Sequence, residues 1–188
     1  MQAETGPTED QPSDTYSTPT WHLYANGEAL ILEHPANAHS DADTVVYFRG
    51  SDVISTGNIF DMEAYPVIDS KNGGSLEGVL KEINHLLGDV AIPSWNEEGG
   101  TYLIPEHGHA TDRNDLSNYR DMLTIIQGRI EDGVKRHLTL EQVKATKPTD
   151  DYDGAYGAPG GPWTADMFIT AVYKELSSKQ SKSEAAKK

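Results

Sequence analysis

The sequence predicts an α+β fold: one mixed, mostly antiparallel sheet with helices packed on one of its faces. Three observations carry this. An Asn26-Gly27 dipeptide separates two strand-like runs near the start, two later stretches repeat apolar residues at helical spacing, and a short strand-like run, Thr101 to Ile104, falls between them.

Trp21 to Tyr24 and Glu28 to Glu33 flank Ala25-Asn26-Gly27, and because Asn and Gly both tolerate positive φ this spacing predicts a β-hairpin. Thr44 to Phe48 and Asp52 to Ser55, joined by Arg49-Gly50-Ser51, predict a second hairpin. Ala29 to Leu32 and Val45 to Phe48 are apolar at every position instead of alternating, so their sheet needs cover on both faces. Leu76, Val79, Leu80, Ile83, Leu86 and Leu87 follow the cap candidate Ser75 at helical spacing, and Gly88 ends that pattern. A longer helix is expected over 115–138, with Leu116, Tyr119, Leu123, Ile126, Ile130, Val134 and Leu138 on one stripe. Thr139 and Gln142 form a capping-box pattern, and Thr164 caps a final helix carrying Met167, Phe168, Ala171, Val172 and Leu176. Between these, 147–163 is rich in Gly, Pro, Asp and Tyr and reads as an ordered loop. Residues 1–18, polar and acidic, and residues 177–188, rich in Lys and Ser, lack an apolar face and read as disordered tails around a single domain over 19–176.

Composition excludes several functions. A net charge of -15 argues against nucleic acid or an anionic membrane as partner, since both reward clustered Lys and Arg. No run reaches the length of a membrane span and no signal peptide is visible, so the chain reads as soluble and, by default, cytoplasmic. With no cysteine, any metal site must be built from His, Asp and Glu. Two histidines stand in suitable places. His39, in Asn37-Ala38-His39-Ser40-Asp41-Ala42-Asp43, precedes an apolar run, and His107, in Ile104-Pro105-Glu106-His107-Gly108, follows one. An imidazole at a strand end is held by backbone and offers a neutral nitrogen to zinc or iron. Two imidazoles do not complete a catalytic zinc site, which needs three protein ligands and an open position.

The motifs Ala38-His39-Ser40-Asp41-Ala42-Asp43, Ser55-Thr56-Gly57-Asn58, Tyr65-Pro66-Val67-Ile68-Asp69 with Gly73-Gly74-Ser75, and Ile104-Pro105-Glu106-His107-Gly108 together resemble the C-terminal half of the metallo-β-lactamase fold, an αββα sandwich of two similar halves. The resemblance extends over 20–176. Tyr119-Arg120-Asp121-Met122, Thr139-Leu140-Glu141-Gln142-Val143 and Gly161-Pro162-Trp163-Thr164 are similar to a bacterial subgroup of metallo-hydrolases. The resemblance implies that His39 matches the third histidine of the first metal site, His107 the histidine of the second, and Asn58 the bridging aspartate. An amide is a weaker, neutral ligand, so a dinuclear site is weakened. Glu106 replaces the usual Gly, and its carboxylate compensates only if the backbone turns it inward. The family's His-x-His-x-Asp-His motif does not occur, and neither His22 nor His34 has the spacing of a remnant.

What the resemblance implies is a metal-dependent hydrolase of an ester, thioester or amide that holds one or two zinc ions only when an N-terminal half polypeptide or a second copy completes the site, and is inactive alone. Two other readings stand beside it: a non-catalytic relic or binding module that self-associates through its free sheet face, and a truncated product without independent function. That free face is expected on Leu30, Leu32, Val45 and Tyr47 or their neighbours, where a second sheet would pack. The substrate is a small molecule of unspecified kind. Asp69 and Ser75 read as turn and helix-cap residues, His109 as a solvated loop histidine, and His85 and His137 as surface residues. Trp163, Tyr152 and Tyr156 line a cleft or pin their loop.

Overall fold

The computed structural model describes residues 16–92, 100–157 and 159–186. Among these, five strands form one sheet in the order β1 (Thr20–Ala25), β2 (Glu28–Glu33), β3 (Val45–Phe48), β4 (Val53–Gly57) and β5 (Tyr102–Pro105). β1 to β4 are antiparallel neighbours and β5 runs parallel to β4. The first hairpin closes where expected, with Asn26 and Gly27 both at positive φ (51° and 82°), as a two-residue type I′ turn requires. The parallel β5 needs a crossover, and α1 (Leu76–His85) lies in it. Residues 1–15, expected to be disordered, lie outside the described residues.

The register assigns side chains to faces, because residues paired across a sheet share a side and neighbours along a strand alternate. Ile31, Tyr47, Ile54 and Leu103 form one row, and Val45 and Thr56 share their side. Ile54, Leu103 and Thr56 are fully buried, beneath a core that includes Leu76, Val79 and Ile83 of α1 and Leu116, Tyr119 and Leu123 of α2 (Arg113–Lys135). The other side carries Trp21, Leu23, Leu30, Leu32, Val46, Phe48, Val53, Tyr102 and Ile104, none of them buried. Tyr102 is 52% and Ile104 40% exposed. The doubly apolar strands thus have one covered face and one apolar face open to solvent. Val45 and Tyr47 turn inward with the core, so the open face pairs Leu30 and Leu32 with Phe48 and Val46 instead.

Helix ends follow the capping signals. Ser75 accepts from the Gly78 N–H at the start of α1, Asp112 accepts from Asn114 and Asp115 N–H at the start of α2, and Thr139 and Gln142 form the capping box of α3 (Leu140–Ala145). Gly88 does not stop the helical path: α1 continues into a π turn over Leu86–Val90, because Leu86 and Leu87 are both drawn into the core. α2 stops at Lys135, and the chain reverses through His137 at φ 57° instead of reaching Leu138. The loop after α3 holds a one-turn α4 (Asp153–Tyr156). Its Tyr156 packs on Tyr65 (6.0 Å) and Tyr119 (5.8 Å) and so pins the loop, while Tyr152 lies under the Arg129 guanidinium at 6.0 Å.

The last helix, α5 (Ala165–Ala186), continues well past Leu176, through residues whose composition predicts fraying. Its middle turns are tied to α1: the Glu175 carboxylate accepts from the Leu76 N–H (2.8 Å), and Lys179 bridges Glu175 and Glu77, each at 2.6 Å. Once its first half is docked, the helix propagates one bond per residue without a second nucleation step.

Candidate metal centre

Both candidate histidines lie at one end of the sheet, where β3 begins and β4 and β5 end. His39 is in the loop from β2 to β3, and its position is set by close backbone approach. Asp69 N–H donates to the His39 carbonyl (2.9 Å), and Ser75 N–H to the Asn37 and Ala38 carbonyls. A Cβ on Gly74 would stand 1.9 Å from the His39 oxygen, and one on Gly78 1.9 Å from the Asn37 oxygen. The Gly73-Gly74-Ser75 sequence therefore does two things: it starts α1, and it seats the His39 loop. Asp69 and Ser75 have the turn and cap roles expected of them.

The His39 Nδ1 lies 3.1 Å from the Asp43 carboxylate and 3.2 Å from the Asn58 amide. One ring nitrogen cannot donate to the first and accept from the second, and the charged acceptor is the stronger partner, so Nδ1–H faces Asp43 and Nε2 keeps the lone pair. Asp43 is itself buried and accepts from the Ser40 N–H (2.8 Å). Asn58 thus meets His39 through a side chain without charge.

His107 follows β5 and is paired in the same way, but with a residue that sequence reasoning missed. Its Nδ1 lies 2.9 Å from Oδ2 of Asp61, which is 7% exposed and whose other oxygen accepts from the Glu63 and Ala64 N–H groups. The hydrogen bond that the ring donates to this carboxylate raises the His107 pKa above its ordinary value. Backbone bonds from Glu106 N–H to Phe60 and from Met62 N–H to His107 hold the two segments together. Glu106 is exposed, yet ligand atoms of Asp61, Glu106 and His107 all lie within 4.8 Å of one another, a group able to hold a metal ion. The only sequence trace of Asp61 is an acid inside the otherwise apolar run Ile59-Phe60-Asp61-Met62.

His39 also borders a cavity of about 760 Å³ between the segment 67–71 and α5, with Trp163 on its wall. His109 is exposed beside Gly108. His85 sits between Glu33 (3.2 Å) and Asp89 (3.0 Å), and His34 binds the Asp43 carbonyl (2.9 Å), so neither joins the two strand-end histidines.

Comparison with solved structures bears on the fold. The stereoselective inverting sec-alkylsulfatase Pisa1 from Pseudomonas sp. overlays on 88% of the chain with a TM-score of 0.65 at 16% identity, and a double mutant of the same sulfatase gives 0.66 at 16%. A metallo-β-lactamase from Pontibacter korlensis matches 60% of the chain at 18% identity with a TM-score of 0.45. The chain shares the fold of the part of the alkylsulfatases that it overlays. At these identities the likeness is one of fold. The chain spans 26% of the length of the alkylsulfatases and 49% of that of the Pontibacter enzyme. No family model and no curated protein sequence matches it. No helix among the described residues is long and apolar enough to cross a membrane.

Proposed function

We propose that this chain is the metal-binding half of a metal-dependent hydrolase, with His39 and His107 as ligands, Asn58 as a weak third, and a second half-sandwich completing the site. One observation supports this most directly. Each histidine has its Nδ1 held by a buried carboxylate, Asp43 or Asp61, which is how metal-ligating imidazoles are oriented and made more basic, and each leaves Nε2 for a ligand bond. The metal is zinc, which supplies Lewis acidity and lowers the pKa of water. The chain's own part is to fix the two imidazoles and, through Glu106 and Asp61, to add carboxylate charge. Substrates are esters, thioesters or amides, with sulfate esters added as a probe because the overlaid sulfatase is named for them.

Calorimetric titration tests the reading. The chain alone binds zinc no tighter than about micromolar, since half the usual ligands of a closed site are missing. His39→Ala and His107→Ala each weaken binding, and Asn58→Asp strengthens it by placing a charged oxygen beside His39. Nanomolar zinc binding that survives both alanine variants would sink the assignment. Alone, the chain hydrolyses ester probes no faster than free zinc, and a polypeptide bearing the His-x-His-x-Asp-His half restores turnover.

A second reading, a self-associating binding module, is favoured by the open apolar face on Leu30, Leu32, Val46 and Phe48, because monomers rarely leave a continuous patch of that kind in solvent. Sedimentation at micromolar concentration decides it: a clean monomer that binds no hydrophobic dye removes both the dimer and the need for a covering sheet.

A further inference from the structure

The side of α1 that meets the end of β2 is not wholly apolar. Glu82, His85 and Asp89 recur at helical spacing along α1 and the π turn that extends it, and Glu33, the last residue of β2, faces them. His85 is engaged at both ring nitrogens: Nδ1 lies 3.0 Å from the Asp89 carboxylate, and Nε2 lies 3.2 Å from Oε2 of Glu33, which is 52 positions away.

Glu82 is the exception in this group. It is 8% exposed, and its Oε1 is buried with no hydrogen-bond partner. Burial pushes its carboxyl above the usual range, the His85 ring acts against that, and the charge of Glu33 adds to it, so both groups are within electrostatic reach. Lys81, the other cation acting on it, is an exposed residue. A buried carboxylate without a partner is costly, and a proton or a cation relieves the cost.

The surroundings suit a cation. A carboxylate on Nδ1 fixes the tautomer that offers Nε2 to a metal. Two ligand atoms of one tetrahedral ion stand about 3.3 Å apart when each bond is near 2.0 Å, close to the 3.2 Å between Nε2 and the Glu33 oxygen. An ion there replaces the ring proton that lies between them. Among the described residues only Asp61, Glu106 and His107 already gather three ligand atoms within 4.8 Å. Glu82 therefore closes the site by turning about its side-chain torsions, which holds the affinity below that of a preformed site.

We propose that His85, Glu33 and Glu82 form a site for a transition-metal dication, zinc or manganese, in which Asp89 orients the ring and the ion fastens the end of β2 to α1. It uses none of the ligands proposed for the hydrolase and does not depend on that reading.

Calorimetric titration of the full chain carrying His39→Ala and His107→Ala isolates the site, with the chlorides of zinc, manganese, magnesium and calcium as probes. Zinc saturates one site at about 10–100 µM, and magnesium and calcium, which prefer oxygen ligands, bind at least about tenfold more weakly. His85→Ala abolishes the binding, Glu33→Gln and Glu82→Gln each weaken it about tenfold, and Asp89→Asn weakens it by up to about tenfold. Glu82→Gln does not lower the metal-free unfolding midpoint, because it removes a buried charge that nothing pairs, so its lost affinity is not lost fold. In the native chain the same zinc shifts the His85 Nε2 resonance in ring-nitrogen NMR and leaves Nδ1 protonated. The proposal is overturned if zinc does not saturate at about 1 mM, if binding survives His85→Ala, if magnesium binds as tightly, or if the His85 ring nitrogens do not respond. Such a failure leaves the strand-end zinc titrations standing, and a failure there leaves this site standing.

Discussion

His39 and His107 have the same local chemistry and are held by different means. Each presents Nδ1 to a buried carboxylate, but the His39 loop is clamped by α1 through contacts that leave no room for a Cβ, whereas His107 sits with its side chain 61% exposed beyond a strand end, fixed chiefly by Asp61. Both arrangements orient an imidazole. Only the first ties its orientation to the packing of the core, and that difference should appear in stability before it appears in chemistry.

The largest effect expected is at the clamp. Gly74→Ala puts a methyl group into the His39 backbone, and since backbone on both sides cannot yield, it costs about 3 kcal/mol and, on the proposed ligand assignment, loosens zinc binding through His39. Gly108→Ala, next to His107, is strained by φ 109° and meets the Met62 Cβ at 2.9 Å, a milder overlap than the 1.9 Å at Gly74, and it costs about 1–2 kcal/mol. Urea unfolding of the two variants measures the contrast; equal costs would show that the histidines are held alike.

Next come the carboxylates. Asp43→Asn and Asp61→Asn each disturb a buried acceptor of backbone N–H groups and cost about 1–3 kcal/mol. Asp61→Asn also lowers the His107 pKa, because the group that raises it is gone, and ring-proton NMR titration reads this directly. In the native chain His107 binds its proton more tightly than in the unfolded chain. Its contribution is therefore complete below the ordinary imidazole range and is lost as pH rises through the raised folded value. The same proton competes with a metal for the ring, so on the proposed ligand assignment zinc bound through His107 is released on acidification.

The smallest effect calibrates the others. His85 also pairs with carboxylates, but on a solvated helix end where Asp89 is 74% exposed, and Asp89→Asn costs no more than about 0.5 kcal/mol while lowering the His85 pKa. A cost at Asp89 matching that at Asp43 would show that burial is not what distinguishes these pairs.

Much of this was legible in local sequence. Asn26-Gly27, Ser75 and the Thr139–Gln142 box act within a few residues of themselves, and each turn and cap formed where its chemistry required. His39 and Asn58 were marked by their motifs, and the structure brings them to 3.2 Å. Asp61 was not marked, because its partner lies 46 positions away and pairing at that distance leaves no periodicity. The extension of α5 beyond Leu176 was hidden for a related reason: its composition is that of a fraying end, and the tie between Glu175 and Leu76 spans 99 positions.

By itself, then, the sequence determined the elements, their order, their caps and the two imidazoles at strand ends, because hydrogen bonding and apolar period act over a turn or a strand. Only the tertiary structure decided which face of the doubly apolar strands is covered, that Val45 and Tyr47 turn inward while Leu30 and Leu32 stay open, and which carboxylate orients His107. Those outcomes depend on sheet register and on helix docking, and both are set by contacts between residues far apart in the chain.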